Sequence, residues 1–308
     1  MKHQMDRREA LKLTGLAAAT AITIPSLFAF QKNLIMKRKI PSSGELLPIV
    51  GLGTWQTFDV DKNVEQRIQL LEVLKEMKSL GGAMIDSSPM YGSSEEVVGD
   101  LCQSIKNNDH FFYATKVWTH GKATGIAQMK ASMQKMQRDT MDLMQIHNLT
   151  DWKTHIKTLR DWKSEGKIKY FGFTHYTNDS HDLLAKLITQ ERPDFVQFNY
   201  SINERHAEKR LLDIAKDNGT SVIINRPFDG GSLFRKIKGK KLPDWCTELT
   251  IESWGQYFLK YILGHEAVNC VIPGTSKVKH VRDNMKAGYG RLPNEKERLK
   301  MLRHLQTL

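Results

Sequence analysis

The apolar segments of this 308-residue chain end at nearly regular intervals, and this spacing constrains the fold more than any other feature. Eight short runs predicted as buried strands end near Gly53, Asp86, Lys116, His147, Thr174, Asn199, Asn225 and Pro273. The first six steps between these ends are 25 to 33 residues long, which is the length of a strand–helix unit, and the last step is 48 residues. Eight such units predict an α/β fold with a parallel (β/α)8 barrel, the TIM barrel.

Helical patterns occupy the intervals between the predicted strands. They fall near residues 62–80, 94–106, 124–138, 154–165, 179–190, 204–218, 251–264, 277–287 and 294–305. A doubly wound open sheet is the alternative architecture. The segment 51–56 lacks the last glycine of the dinucleotide-binding fingerprint of such sheets, so the barrel is favoured.

Two further features modify this barrel. Residues 36–50 read as a β-hairpin that turns at Ser42-Ser43-Gly44. The long last step marks an insertion at residues 228–250, after the seventh strand, whose Gly230-Gly231 and Pro243 predict a loop. Long loops of such barrels collect on the face that carries the active site.

The N-terminus has the pattern of a targeting segment. Arg7-Arg8 precedes a moderately apolar stretch, residues 13–30, which is typical of a twin-arginine (Tat) signal of an exported bacterial protein. A membrane anchor or an amphipathic helix without a targeting role is the alternative. We therefore expect a signal segment at residues 1–30, a barrel domain at 31–308, export to the periplasm or beyond, and the Tat machinery as a partner.

Charge and cysteine usage exclude several function classes. The formal net charge is +12, but the basic residues are spread along predicted helices, and no nucleic-acid-binding motif occurs. The three cysteines show no CxxC spacing, and the histidines form no HExxH motif, so no metal site is predicted. We expect a monomer that binds no nucleic acid.

Reactive side chains stand at the ends of three consecutive predicted strands. Asp86 ends the second strand and Tyr91 follows it in a loop, while Lys116 and His147 end the third and fourth strands. Carboxyl ends of barrel strands meet on one rim, so these four side chains are candidates for one catalytic site. Each alone has an ordinary structural explanation, as a turn cap, a surface lysine or a core histidine.

At these positions the chain resembles the aldo-keto reductase family, from about Lys37 to its end. The resemblance rests on the segments Gly51–Thr54, Asp86–Gly92, Ala114–Trp118, Gln145–Asn148 and Val271–Ser276. It implies NAD(P)H-dependent reduction of an aldehyde or ketone, a small-molecule carbonyl substrate. Hydride attack builds charge on the carbonyl oxygen, and Tyr91 would be the acid that neutralises it. Lys116 would stabilise the phenolate, Asp86 would hold Lys116, and His147 would orient the carbonyl.

The resemblance also implies a set of cofactor-binding residues, with departures from the family pattern. Thr174-His175 stands where the family has Ser-Asn, and Asn225 stands where many members have a tyrosine that stacks on the nicotinamide. Arg226 adds a charge suited to pyrophosphate. The expected contacts along the strand ends are Gly53, Thr54, Thr174, His175, Gln197, Asn225, Arg226, Pro227 and Phe228.

The adenosine end of the cofactor is expected after the eighth strand, at Thr275, Ser276, Lys277, His280 and Asn284. Hydroxyls and a cation at a helix start suit a 2′-phosphate, so NADP(H) is the expected cofactor, with NAD(H) also possible. For the substrate, Trp55, Trp118 and His120 are expected to line the pocket, with plain core packing as the alternative.

Two other functions fit the same barrel. The first is a nucleotide-bound redox sensor or regulatory module with little turnover, which the altered residues His175 and Asn225 keep open. The second is a phosphate-binding aldolase or isomerase that would use a rim lysine as Schiff base or electrostatic group. The set Asp86, Tyr91, Lys116 and His147 fits that chemistry less well.

Overall fold

The structure, a computed structural model, describes residues 34–106 and 108–308. The predicted signal segment at residues 1–30 lies outside the described residues. Residues 34–308 form one compact unit.

Eight parallel strands follow one another around this unit in chain order. They are β3 (Leu52–Gly53), β4 (Met84–Asp86), β5 (Phe112–Val117), β6 (Met141–His147), β7 (Ile168–Thr174), β8 (Phe195–Asn199), β9 (Ser221–Asn225) and β10 (Val268–Val271). Parallel bridges from Val50 to Val271 and from Gly53 to Gly274 join the first strand to the last. The predicted (β/α)8 barrel is therefore confirmed.

The barrel seam explains one glycine. A Cβ on Gly53 would lie 2.8 Å from the carbonyl oxygen of Ile272, so only glycine lets the two strands approach at this point. The backbone N–H of Gly51 donates to the carbonyl of Val271 at 2.8 Å and extends the same seam.

Helices surround the barrel, as the alternation of patterns predicted. They are α1 (Val64–Ser79), α2 (Ser94–Gln103), α3 (Lys122–Lys135), α4 (Trp152–Ser164), α5 (His181–Glu191), α6 (Leu211–Asp217), α7 (Ser232–Lys236), α8 (Trp254–Leu263), α9 (Val278–Lys286) and α10 (Glu295–Gln306). In α1 the buried residues are Leu70, Val73, Leu74 and Met77, at the spacing of a helix face that packs on a sheet. The layer between helices and strands forms the larger hydrophobic core.

The hairpin predicted at residues 36–50 is also confirmed. β1 (Lys37–Lys39) pairs antiparallel with β2 (Leu46–Pro48), and Gly44 adopts a φ of 78° in the turn. Ile40 and Leu47 of this hairpin pack with Phe112 and Phe195 in a second core cluster. Burying each such side chain stabilises the fold by roughly 1.5–3 kcal/mol. Met84, Phe112 and Phe195 of this cluster are the first residues of their strands, so the hairpin packs at the end of the barrel opposite the predicted site.

Two segments differ from their predicted form. The helix predicted at 204–218 is shorter, since α6 begins at Leu211 and a 3-10 turn, His206–Lys209, precedes it. The predicted loop at 228–250 contains α7 and the 3-10 segments Asp229–Gly231 and Asp244–Leu249. Apolar side chains inside the insertion, such as Leu233 and Leu249, are buried, so one side of these short helical turns packs against the protein.

Two absences concern only the part of the chain that the structure describes. Among residues 34–106 and 108–308, no helix is both long and apolar enough to cross a bilayer. Within the same ranges, no group of three or more His, Cys, Asp or Glu side chains is placed to hold a metal ion. The three cysteines, Cys102, Cys246 and Cys270, are buried free thiols.

Candidate active site

The four predicted catalytic residues come together at the carboxyl ends of three neighbouring strands. Asp86 is the last residue of β4, Lys116 lies near the end of β5, and His147 is the last residue of β6. Tyr91 follows β4 in a loop, and its ring centroid lies 5.8 Å from that of His147. The barrel topology brings Asp86, Lys116 and His147 to one rim, and the loop after β4 adds Tyr91.

Lys116 and Asp86 form a buried ion pair beneath this rim. Lys116 Nζ lies 2.7 Å from Asp86 Oδ2 and donates a second hydrogen bond, at 2.6 Å, to the carbonyl oxygen of Ser87. Both residues are almost completely buried. Burial lowers the pKa of Lys116, but the charge of Asp86 and the adjacent Tyr91 outweigh it, so the pKa is raised above its ordinary value. Lys116 is therefore a fixed cation at neutral pH.

The second oxygen of Asp86 is held by two amides. Gln145 and Gln197 each donate from Nε2 to Asp86 Oδ1 at 3.0 Å. Gln197 in turn accepts a hydrogen bond at 2.8 Å from Thr174 Oγ1. A continuous hydrogen-bonded chain therefore runs from the predicted nicotinamide contacts to the ion pair, and it fixes the carboxylate in one orientation.

Tyr91 lies directly against the lysine. Lys116 Nζ is 5.0 Å from the centroid of the Tyr91 ring. Burial raises the pKa of the Tyr91 phenol, and Lys116 opposes the rise without cancelling it. That Lys116 stabilises the Tyr91 phenolate stays a prediction. At neutral pH Tyr91 is protonated, as a proton donor must be.

His147 is a neutral imidazole beside the phenol. Burial, followed by the charge of Lys116, lowers the pKa of His147 from 6.5 to about 2. Its Nδ1 lies 2.9 Å from Ser88 Oγ. When the Ser88 hydroxyl donates to Nδ1, the ring carries its proton on Nε2, which can donate to a substrate oxygen. Ser88 was not singled out in the sequence, although it lies in the segment that carries the resemblance.

A cleft of about 540 Å³ opens above these residues. Asp86, Tyr91 and His147 contribute to its wall, and Lys116 lies below it. Nine predicted cofactor contacts also line it: Gly53, Thr54, Thr174, His175, Gln197, Asn225, Arg226, Pro227 and Phe228. The structure thus gathers the reactive groups and this set of predicted contacts around one cavity large enough for a ligand of moderate size.

His175 and Asn225, which depart from the family pattern, are hydrogen-bonded to each other. Asn225 Nδ2 donates to the carbonyl oxygen of His175 at 3.0 Å. The other side-chain atom of Asn225, Oδ1, is buried and has no hydrogen-bond partner. Such an acceptor is costly to leave unpaired and suits an N–H donor from a ligand in the cleft. The carboxamide of a nicotinamide carries that donor, so these residues fit the predicted cofactor.

Several residues of the cleft were missed in the sequence. Tyr176 lines it with a half-exposed ring that stacks on His175, the two planes being 6° apart, and the guanidinium of Arg226 lies 6.0 Å from the ring centroid. Met90 and Asn148 contribute to the same wall. Met90 and Asn148 are the sequence neighbours of Tyr91 and His147, and this adjacency is the sequence feature that could have indicated their place in the cleft.

The predicted adenosine contacts lie next to the cleft rather than in its wall. Lys277 precedes α9 directly, and its backbone N–H donates to Thr275 Oγ1 at 3.1 Å. Thr275 Oγ1 also lies 3.3 Å from Nδ1 of His280, whose pKa is lowered by burial and then by Lys279 and Lys277. Asn284 is buried on α9, and the carbonyl of Ser276 accepts a hydrogen bond from Gln69. Their part in cofactor binding stays a prediction.

The predicted substrate residues divide into two groups. Trp55 lines the cleft and is 53% exposed, so core packing does not explain it. Trp118 and His120 do not line the cleft, although both are exposed and the Trp118 ring lies 6.3 Å from that of His147. Trp118 therefore borders the site, whereas His120 is exposed and shows no contact with the cleft.

Comparisons with known proteins agree with this geometry. The curated Uncharacterized oxidoreductase YqkF of Bacillus subtilis (strain 168) is 25% identical over 301 residues, covering 85% of this chain and 94% of the relative. The NADH-specific methylglyoxal reductase of Escherichia coli (strain K12) is 26% identical over 243 residues, covering 67% and 72%. A solved aldo-keto reductase from Klebsiella pneumoniae, in complex with NADPH, matches the fold with a TM-score of 0.71 at 22% identity, over 88% of this chain and 95% of that one.

The assignment to a family rests on a match to a family-wide sequence model rather than to any single relative. The sequence model of the aldo/keto reductase family covers residues 49–303, which is nearly the whole barrel. This range includes all four rim residues and every predicted cofactor contact. The chain belongs to the aldo/keto reductase family.

Proposed function

We propose that this protein is an NAD(P)H-dependent oxidoreductase that reduces an aldehyde or ketone to an alcohol, with Tyr91 as the general acid. One observation carries the proposal: a completely buried, charged Lys116 lies against a protonated Tyr91, beside a neutral His147, on the floor of an open cleft. A sensor needs no such acid. An aldolase lysine needs a free amine, whereas Lys116 is held by Asp86 and Ser87.

Each of the four rim residues has a separate role in the proposed reduction of the carbonyl group. The reduced nicotinamide, when bound, supplies a hydride to the substrate carbonyl carbon. Tyr91 donates its phenolic proton to the carbonyl oxygen, and Lys116 stabilises the phenolate that remains. Asp86 keeps Lys116 in place. His147, which stays neutral, donates a hydrogen bond to the same oxygen and orients the carbonyl. Proton transfer by a positioned acid contributes a factor of roughly a hundred to ten thousand in rate.

The cofactor and substrate are proposed from the site together with the relatives. Thr174, Gln197 and Asn225 would hold the nicotinamide amide, and Arg226 the pyrophosphate. Lys277, which forms no ion pair among the described residues, favours the extra phosphate of NADPH. The Klebsiella neighbour binds NADPH and the E. coli relative is NADH-specific. The experiment below therefore compares the binding of both nucleotides. The name of the E. coli relative identifies it as a methylglyoxal reductase, which supports a small aldehyde or ketone as the substrate of this protein.

The test joins binding to turnover. The full chain is titrated with NADPH and NADH by fluorescence, and aldehydes including methylglyoxal are then added while the absorbance of the reduced nicotinamide is followed. We expect tighter binding of NADPH and turnover that Tyr91→Phe reduces at least a hundredfold without weakening nucleotide binding. Tyr113→Phe, which removes a phenol on β5 away from the cleft, is the control. Tight binding without turnover of any aldehyde would support the sensor instead.

We also propose that residues 1–30 direct export through the twin-arginine route, and that the barrel acts as a monomer with its nucleotide retained. The support is the Arg7-Arg8 pair before an apolar stretch. Fractionation of a bacterial host should find the protein in the periplasm, and Arg7→Lys with Arg8→Lys should leave it in the cytoplasm. Light scattering during size-exclusion chromatography measures the oligomeric state.

A further inference from the structure

The insertion after β9 presents an unusual concentration of positive charge. Five cations occur within seven residues of the segment Phe234–Lys241, which we call the cationic loop: Arg235, Lys236, Lys238, Lys240 and Lys241. All five are exposed, and none has an ion pair or side-chain hydrogen bond to another residue that the structure describes. No acidic residue occurs between Asp229 and Asp244. This loop is an exception to the expectation that the basic residues are spread along helices.

The cationic loop lies on a packed base. Leu233 and Ile237, which precede and interrupt the cations, are buried. The Phe234 ring packs against Phe228, with centroids 4.9 Å apart, and the indole N–H of Trp254 donates to the carbonyl oxygen of Lys240 at 3.0 Å. The charges are therefore displayed by an ordered surface, and Leu233 and Ile237 form its buried apolar base.

The cofactor does not account for this charge. The cleft wall includes Gly230 and Gly231 of the insertion, but it includes none of the five cations. Elsewhere on the barrel, by contrast, many exposed cations have acidic partners, as in Arg282–Glu76 and Lys286–Glu252. A dense set of unpaired cations costs electrostatic free energy through mutual repulsion, and an anionic partner would remove that cost.

An exposed aromatic side chain and a second basic element indicate the kind of partner. Phe234, at the start of the cationic loop, is 41% exposed. Trp254 stacks on His304 of α10 with a 5° angle between the planes, and the same helix carries Lys300 and Arg303, both exposed. Cations around a partly exposed aromatic ring are typical of protein surfaces that lie in the headgroup region of a membrane.

We propose that the cationic loop docks this protein onto an anionic phospholipid surface. The interaction is separate from catalysis, since the loop contributes no cation to the cleft. Electrostatic attraction supplies the binding, and the Phe234 ring lies at the headgroup level. Attraction to an anionic surface is worth about fivefold in affinity per cation and is screened by salt.

The test compares two variants of the full chain with the same change of charge. Lys236→Gln, Lys238→Gln and Lys240→Gln are combined in one variant. Lys130→Gln, Lys157→Gln and Lys186→Gln, exposed on the outer helices α3, α4 and α5, form the control. Co-sedimentation is measured with vesicles of phosphatidylcholine containing phosphatidylglycerol, and with phosphatidylcholine alone. Because both variants keep residues 1–33, any binding by that segment is common to them.

We expect the wild-type chain to bind the anionic vesicles and to release from them in high salt. The loop variant should bind roughly a hundredfold more weakly, and the control variant less than tenfold more weakly. Equal loss in the two variants would overturn the proposal, because net charge alone would then explain the binding. So would tighter binding of the wild-type chain to duplex DNA than to vesicles, or a loop variant that loses only NADPH affinity. Turnover and circular dichroism of the loop variant should match the wild type.

Discussion

At the scale of single residues, the ion pair between Lys116 and Asp86 ties the stability of the barrel to its chemistry. Asp86 receives hydrogen bonds from Lys116, Gln145 and Gln197, and all four side chains are buried. Removing one partner of such a pair leaves the other charge buried without compensation, which is far more destabilising than removing both. The pair is therefore a structural element and the support of the catalytic phenol.

We expect Asp86→Asn to lower the free energy of unfolding by about 3–5 kcal/mol, because Lys116 stays buried without its counter-charge. The double variant Asp86→Asn with Lys116→Met should recover part of that loss. Urea unfolding followed by circular dichroism measures both. Glu266→Gln is the control, since its pair with Lys216 is exposed and should contribute far less to stability. Equal losses at the two sites would contradict this account.

Asp86, Lys116 and His147 could be predicted because each stands at or near the end of an apolar run, where parallel strands meet on one face, and Tyr91 follows Asp86 in the next loop. Gln145 could not be recognised in the same way. It lies inside β6, whose seven residues are all buried, so no alternation of polar and apolar residues shows which side chains face the barrel axis. Tyr176 was missed because its stacking on His175 depends on the path of the loop after β7, which the sequence does not encode locally.

At the scale of elements, the loop after β4 places the proposed acid. Gly92, which follows Tyr91, has a φ of 59°, and a Cβ at this position would overlap the carboxylate of Asp59. Asp59 Oδ1 also accepts hydrogen bonds from the backbone N–H and the hydroxyl of Ser93, at 2.9 and 3.0 Å. Asp59 therefore holds the loop directly beside Tyr91.

We expect Gly92→Ala to reduce kcat by roughly a hundredfold, because displacing the loop by about 1 Å misplaces the phenol. The KM should change less. Gly166→Ala is the matched control: Gly166 has a φ of 73°, but no atom beyond its chain neighbours lies within 4 Å of the added Cβ. Both variants carry the strain of a positive φ, on the order of 1 kcal/mol, so thermal unfolding should shift in both. A similar loss of kcat in Gly166→Ala would show that strain, rather than the Tyr91 loop, is responsible.

Regular helices and strands were predictable because their hydrophobic periods extend over many residues. The helix predicted at 124–138 is observed at Lys122–Lys135, and the one at 294–305 is observed at Glu295–Gln306. The second begins with a capping box between Asn294 and Glu297 that fixes its first residue. The sequence predicts a plain loop at 228–250 because the helical turns of this insertion span three to six residues each, too few to show a period.

At the scale of the whole molecule, burial of histidines couples the fold to pH. Among the residues that the structure describes, burial lowers the pKa of five histidines: His147, His175, His181, His265 and His280. Of these, His147 is the most strongly affected, with its pKa lowered from 6.5 to about 2. The folded protein keeps these rings neutral where the unfolded chain would protonate them. Opposing this, burial raises the pKa of Glu95, which takes up a proton more readily in the folded state.

The sign of the His147 contribution follows from linkage. A group whose pKa is lower in the folded state stabilises the fold fully above its unfolded pKa, here 6.5, and that stability is lost as pH falls toward about 2. Within this window one such group lowers the free energy of unfolding by about 1.4 kcal/mol per pH unit. We therefore expect the urea midpoint of the wild-type chain to fall steadily below pH 6.5.

His147→Gln should remove the largest single part of that acid slope while also losing the contact to Ser88. Its free energy of unfolding at neutral pH is then lower than that of the wild type, but it declines less steeply in acid, so the two curves converge. The same substitution at the exposed His120 controls for replacing a histidine as such. Urea unfolding across the acid range measures both. Parallel curves for the wild type and His147→Gln would mean that folding does not lower the pKa of His147, and the strongly lowered pKa assigned to this buried ring would then be wrong.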